Sequence, residues 1–549
     1  MAVTLFFSFI VATFATMVLI PPLVRLAEWL HVVDRPAARK VHRTPVPRLG
    51  GVAMAIGAVL PPIMWATMDS RMVGFLCGVA VILFFGLWDD LKGIDYRLKF
   101  LGQIIAVLIV VLYGGVVVRY VPFWGLEPLP DYVAIPMTAF ALVGVTNAIN
   151  LADGLDGLAG GITLLSLGII GILAHPSGDI GLLLATVSVI GSIVGFLRFN
   201  TYPARIFMGD GGSQFLGFSA GVLVVMLTQQ SNTALSPALP LMILGLPILD
   251  TVMVMSERLY EGRSPFLPDK NHIHHKLLAL GFDHYEAVFV IYLLQTMLVA
   301  AAYFLRFERD WLILSLYGLF CLALFGSLKA GMAIGWRCHR HPHQSAIPVV
   351  PGWIQWLRED QRILRIAFYF AVVAIPCYFF LGALLVERVP KDIGALACAL
   401  LIVPLVLYVT RRHKPFNIVE RACAYIAGIC VVYLVQVMPG ALADLSLYRN
   451  ILFAAMTVAV AIGFRFSKER FRVTPMDFLV ILVALVVPNL PDVNIEMGNA
   501  GIAVAMLIVL FYSIELVLNN FWRRWDVMRL TTSVTLAVLG LRGVVGALT

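Results

Sequence analysis

The sequence predicts an all-α, polytopic membrane protein with its N-terminus on the outer side. Three observations carry that expectation. Of 549 residues, 60% are hydrophobic and only 13% charged, about half the charged fraction of a soluble domain; the mean hydropathy is +0.91. The apolar residues come in runs, about 17 or 18 of them long enough to span a bilayer at roughly 20 residues each. Lipid leaves a bare backbone amide without a partner, so such runs are helices or closed barrel strands. Runs this long and uniformly apolar are helices. The third observation is the placement of cations. With the N-terminus outside, 31 of the 40 Lys and Arg fall in loops on one side and 7 on the other, the bias of cytoplasmic loops. The net charge of +8 is therefore a topology signal divided among separate loops, and predicts no nucleic-acid partner. The seven cysteines show no CxxC spacing and read as small apolar helix residues.

Taken in order, residues 2–23 read as a first span, not a cleavable leader, because the first cation, Arg25, follows the apolar run. Residues 25–51 hold Arg39, Lys40, His42, Arg43 and Arg48, a basic strip that can bind anionic lipid heads without specificity. The next span ends in LFFGLWDDLKGIDYRLK, residues 83–99. Asp89 and Asp90 repel each other unless a cation or a shared proton relieves them. One could bind Mg2+ or act as a base; the alternative is an ordinary charged helix end. Asp95 reads as plain loop.

Thr146–Gly161, TNAINLADGLDGLAGG, closes one apolar run and opens another, and carries Asn147, Asn150, Asp153 and Asp156 among glycines. Carboxylates at a membrane boundary are costly unless they hold a cation or a ligand. Residues 198–213, RFNTYPARIFMGDGGS, place Asp210 between glycines. Such a loop can present one carboxylate and several backbone amides to a metal–phosphate complex. It is no P-loop, since neither GKS nor GKT follows, and a simple turn is the alternative. The ninth span, Leu239–Met255, is read as continuous and carries Asp250 within its apolar run, either functional or bonded to a neighbouring helix.

Residues 257–285 bring His272, His274 and His275 beside Arg263, Asp269, Lys270 and His284. A helix starting at Asn271 would put His272 and His275 on one face. Zinc would need a further Cys or Glu at ligand spacing, so recognition of phosphate oxygens by imidazoles and cations is favoured. Two more spans, 286–305 and 311–334, complete a unit of residues 1–340. A polar, Pro-containing cytoplasmic linker, 341–365, leads to a second membrane module, 366–549, with about six or seven helices at roughly 20 residues each. It shows no motif of chemistry.

The loops carrying Asp89/Asp90, Asn150/Asp153/Asp156, Asp210 and the histidines all count to the same side. Together they describe a divalent cation and a diphosphate at the inner membrane face, with catalysis by positioning and charge stabilisation. A site at the bilayer surface suggests a lipid as second substrate.

RKVHRTPVPRLGG, the DD pair, NAINLADGLDGLAGG, FMGDGG and PDKNHIHH then give the first 335 residues a resemblance. They are similar, in motif order, to the polyprenyl-phosphate N-acetylhexosamine-1-phosphate transferases, the family of MraY and WecA. PDKNHIHH resembles the WecA branch and argues against a MurNAc-pentapeptide substrate. The resemblance implies transfer of N-acetylhexosamine-1-phosphate, GlcNAc-1-phosphate first, from a UDP-sugar to undecaprenyl phosphate, with release of UMP and with Mg2+ or Mn2+ as cofactor. It implies a bacterial inner-membrane enzyme with a cytoplasmic site, and is compatible with a homodimer. By the same resemblance Asp210 ligates the metal, and Asp89 or Asp90 deprotonates or positions the lipid phosphate. Asn150, Asp153 and Asp156 hold the nucleotide side. His272, His274 and His275 contact the diphosphate with Arg263 and Lys270, and Lys40 seats the lipid phosphate. A CDP-alcohol phosphotransferase would need DGxxAR, but Leu-Ala-Gly-Gly follows Asp156-Gly157. A transporter would carry its acids at mid-span, whereas most acids here count to loop ends; a third reading is an inactive core with the C-terminal module as a scaffold or ligand-binding unit.

Overall fold

The computed structural model describes residues 2–34, 45–125, 127–264, 271–338, 362–411, 418–466, 500–519 and 525–548. They fall in two compact units, one holding the described residues up to 338 and the other those from 362. Nearly everything is helix. Among the described residues twelve helices are long and apolar enough to cross a membrane, and three shorter apolar ones accompany them. A two-residue antiparallel ladder, β1 (Val33–Asp34) with β2 (Val46–Pro47), pairs Val33 with Pro47 and Asp34 with Val46.

The first unit is built around α8 (Gly209–Met226), whose residues from Gly211 onward are all buried. A helix that is apolar on every side belongs inside a bundle. It packs against α2 (Gly50–Trp65), α3 (Ser70–Lys92), α5 (Asp131–Ala152) and α6 (Leu158–Ala174). Small residues let the backbones meet. A Cβ on Gly86 of α3 would lie 2.3 Å from the Cα of Gly211, and one on Gly51 of α2 would lie 2.3 Å from the Cα of Gly212. α1 (Ala2–Trp29) packs on α2 and on α7 (Ile180–Asn200), while α4 (Tyr96–Leu108) runs beside α3 and α5.

Local chemistry sets the helix ends. Asp69 caps α3 by accepting from Met72 N at 2.8 Å, and Gly93, at φ +64°, ends it in the left-handed conformation. α12 (His284–Phe304) opens with a capping box of Asp283 and Glu286, and α13 (Asp310–Ala333) follows.

The ninth span is not continuous. It is α9 (Leu239–Ile243) and α10 (Gly245–Tyr260), broken at Leu244. Pro247 has no N–H to offer the carbonyl of Ile243, four residues back. That oxygen instead accepts from Ser166 Oγ at 2.7 Å and Gln295 Nε2 at 2.8 Å. Neighbouring helices thus satisfy the freed backbone group, as an apolar interior requires.

In the second unit, described by itself, α15 (Lys391–Arg411) packs tightly on α19 (Trp525–Leu548). Arg542 of α19 donates to the carbonyls of Ala383, Leu384 and Val386, filling acceptors left open at the end of α14 (Arg362–Leu385). Buried Arg529 pairs with Glu420, of α16 (Ile418–Val437), at 2.6 Å.

Candidate active site

The last turn of α3, the loops between α5 and α6 and between α7 and α8, and the segment leading into α12 gather around a cavity of about 770 Å3. Asp90, Asn150, Asp153, Asp156, Asp210 and His275 all line it. Arg48 joins from the segment after β2; its side chain is paired with Asp34.

The adjacent aspartates do different work. Asp90 accepts from the backbone amides of Asp210 at 2.9 Å and Gly211 at 3.1 Å. It is a carboxylate on the N-terminus of α8, where four amides lack helical partners and the helix dipole favours negative charge. Gly209 has φ +69° and its Cβ would fall 2.4 Å from Asp90 Oδ2, so only glycine lets the carboxylate come this close. Asp89 accepts from Ile94 N at 2.9 Å and from Lys99 Nζ at 3.0 Å. The same ammonium lies 3.0 Å from Asp210 Oδ1. Lys99 therefore bridges Asp89 and Asp210.

On the other wall, Ser213 donates to Asn150 Oδ1 and Asp156 accepts from Ala204 N at 2.9 Å. Buried Asn200 accepts from Gly157 N and donates to Ile206 O, both at 2.9 Å, so it ties two loops together. Asp153 has its carboxyl pushed up to about 7, by burial first and then by the negative charges of Asp210, Asp156 and Asp90.

The three histidines separate. The helix begins at Ile273, not Asn271: α11 is Ile273–Ala279 and His272 is its extended N-cap. His272 Nδ1 is 2.8 Å from Asp250 Oδ2, and Ile273 N donates to Asp250 Oδ1 at 2.7 Å. The acid inside the ninth span thus anchors this segment. His274 is buried against Gly154, whose Cβ would lie 2.2 Å from Nε2. Burial, then the charge of His275, pull its pKa down to about 3. Of the trio, only His275 lines the cavity. Arg263 is exposed and paired with Glu261, and is not among the residues that line the cavity. Lys40 and Lys270 lie outside the described residues.

Lys99, Ser213, Tyr202 and His284 belong to the site without having been singled out as functional from sequence. Lys99 had only a weak signal: it is one of three cations, with Lys92 and Arg97, that follow the two aspartates at a span's end. Tyr202 and His284 line the cavity and pack with their rings tilted by 30° and 4.3 Å between ring centres.

The donor set suits Mg2+. Hard carboxylate and amide oxygens line one cavity, where burial first and then the neighbouring carboxylates raise Asp153. Among the described residues no three His, Cys, Asp or Glu form a ready-made cage. Mg2+ is commonly held by one or two carboxylates together with water and substrate phosphates.

Residues 72–228 match the model of glycosyl transferase family 4. The chain is 37% identical over 326 residues to a probable undecaprenyl-phosphate N-acetylglucosaminyl 1-phosphate transferase of Bacillus subtilis, covering 59% of this chain and 90% of that one. It is 36% identical over 310 residues to a decaprenyl-phosphate N-acetylglucosaminephosphotransferase of Mycobacterium tuberculosis, covering 50% of this chain and 75% of that one. With an undecaprenyl-phosphate alpha-N-acetylglucosaminyl 1-phosphate transferase of Escherichia coli the identity is 29% over 311 residues, covering 55% and 84%. A shared length of this extent, on top of acidic motifs that meet in one cavity, places the protein: the chain belongs to glycosyl transferase family 4.

Proposed function

We propose that the protein transfers GlcNAc-1-phosphate from UDP-GlcNAc to undecaprenyl phosphate at the cytoplasmic face of a bacterial inner membrane, with Mg2+. The observation that carries the proposal is the convergence of Asp90, Asp153, Asp156, Asp210 and His275, from separate loops, on one cavity. The relatives' names supply the sugar and the acceptor class.

A lipid-phosphate oxygen attacks the sugar-bearing phosphorus of the donor. The phosphorus–oxygen bond to the UMP phosphate breaks, and UMP leaves. Asp210 would hold Mg2+, with Asp153 as the neighbouring carboxylate; bound Mg2+ neutralises the diphosphate oxygens and eases departure of UMP. Lys99 fixes the carboxylates of Asp89 and Asp210, and Asp90 fixes the backbone that carries Asp210. His275 and Arg48 face the cavity as donors for phosphate oxygens. Asp156 and Asn200 hold the loops on the nucleotide side. Since most of the rate comes from placing charged groups before the reaction starts, small losses of position should be costly.

Purified protein should release UMP from UDP-GlcNAc and undecaprenyl phosphate, stop with EDTA and resume with Mg2+ or Mn2+. UDP-QuiNAc, UDP-FucNAc and UDP-MurNAc-pentapeptide should turn over more slowly. Asp210→Asn should cut turnover by more than about 100-fold. Asp95→Asn should be mild, because Asp95 is exposed and its side chain caps nothing. Full activity of Asp210→Asn would remove the metal assignment.

A further inference from the structure

Asn147 stands in the same polar stretch as Asn150 and Asp153, yet it does not line the cavity. It points to a different set of partners. Its Nδ2 donates to Gln103 Oε1 at 2.7 Å and to Val143 O at 2.8 Å. Gln103 Nε2 in turn donates to Gln214 Oε1 at 2.8 Å and approaches Asn147 Oδ1 at 3.3 Å. Gln103 and Gln214 are each 1% exposed. Three amides on α4, α5 and α8 therefore close on one another, with Gln103 and Gln214 in the interior of the bundle and Asn147 half-buried. Gln214 Nε2 makes no hydrogen bond, so one buried donor is left over.

The placement relative to the cavity is regular. Gln103 is four residues beyond Lys99 on α4, Gln214 four beyond Asp210 on α8, and Asn147 three before Asn150 on α5. Residues three or four apart share a helix face. Each amide thus lies about one turn, roughly 5 Å, deeper than a residue of the site. α4 and α8 are joined twice at the same offset, by Lys99 with Asp210 at 3.0 Å and by Gln103 with Gln214 at 2.8 Å. α5 is joined at both levels too, through Asn150 with Ser213 and Asn147 with Gln103.

Apolar side chains would fill this interior without any orphaned donor. Amides are retained at a cost. What they provide and leucine does not is a fixed helix height: a hydrogen bond fails on a slip of 1 Å, whereas apolar packing tolerates it.

We propose that Gln103, Asn147 and Gln214 are positioning residues for the transferase reaction, setting the register of α4, α5 and α8 and so the spacing of Lys99 from Asp210 and of Ser213 from Asn150. This rests on the function proposed above. The test is steady-state UMP release by the full chain in lipid nanodiscs, per folded enzyme, for wild type, Gln103→Leu and Gln214→Met. Thermal midpoints and the Mg2+ concentration for half-maximal rate are measured alongside. In either variant kcat should fall about 10- to 100-fold and half-saturation by Mg2+ should move to higher concentration. KM for UDP-GlcNAc should stay within about threefold, and the thermal midpoint should hold. Gln214→Met keeps the side-chain length, so it carries the same expectation if Gln103→Leu does not fold. Wild-type kcat in the variants, or a loss that tracks a lowered thermal midpoint, would overturn the inference. A wild-type chain that releases no UMP from any donor would instead overturn the function on which it rests.

Discussion

His274 shows how much one residue's surroundings decide. The sequence offers three similar imidazoles in four positions. The structure gives His272 a carboxylate partner, buries His274 against Gly154 and leaves His275 to the cavity. His274, held near 3 against an ordinary value of 6.5, folds neutral. Its unfolded form takes up a proton below about pH 6.5, so its contribution to stability is complete above that value. It is lost as pH falls from 6.5 toward 3, since the unfolded state then binds more protons. The thermal midpoint should decline over pH 6.5 to 4.5, and the slope should be shallower in His274→Asn. Gly154→Ala drives a methyl to 2.2 Å from His274 Nε2. It should destabilise by about 1–3 kcal/mol, read as a lower thermal midpoint, and should also reduce UMP release, because residues 153–156 line the cavity.

At the scale of elements, Asp250 and the break at Leu244 belong to one piece of design. The apolar count runs straight through residues 239–255, and Pro240 and Pro247 are visible there. Proline can kink a helix that a membrane still tolerates, so hydropathy alone does not reveal that the segment stops and restarts. The consequence is chemical: α10 carries Asp250 to His272 and Ile273. If Ser166 and Gln295 are what satisfy the Ile243 carbonyl, Ser166→Ala with Gln295→Leu leaves that oxygen unpaired. The pair should cost about 1–3 kcal/mol in thermal denaturation, and each single variant less, because one donor remains. Asp90 is the matching case on the catalytic side. Its partners, the amides of Asp210 and Gly211, are 120 and 121 residues away, and no local pattern announces them.

At the scale of the whole molecule, every residue placed at the cavity lies in the first unit. A chain ending at residue 342 should therefore keep UMP release within about threefold of the full protein; loss of turnover in a folded truncation would show that the second unit takes part. The second unit has its own fastenings. Arg542→Met withdraws donors from carbonyls at the end of α14 and should lower that unit's thermal transition while leaving turnover unchanged.

The sequence by itself determined the fold class, and it marked the polar segments whose residues line the cavity. Apolar runs and flanking cations meet lipid and water directly, so their placement needs no knowledge of neighbouring helices. Six of the residues it named, Asp90, Asn150, Asp153, Asp156, Asp210 and His275, do meet in one cavity. Only the tertiary structure decided which group faces which. Lys99 between Asp89 and Asp210, His272 on Asp250, and Asn147 on Gln103 are bonds between helices. Such bonds depend on how high each helix stands against the next, and that height is set by side-chain packing and glycine contacts far apart in the chain.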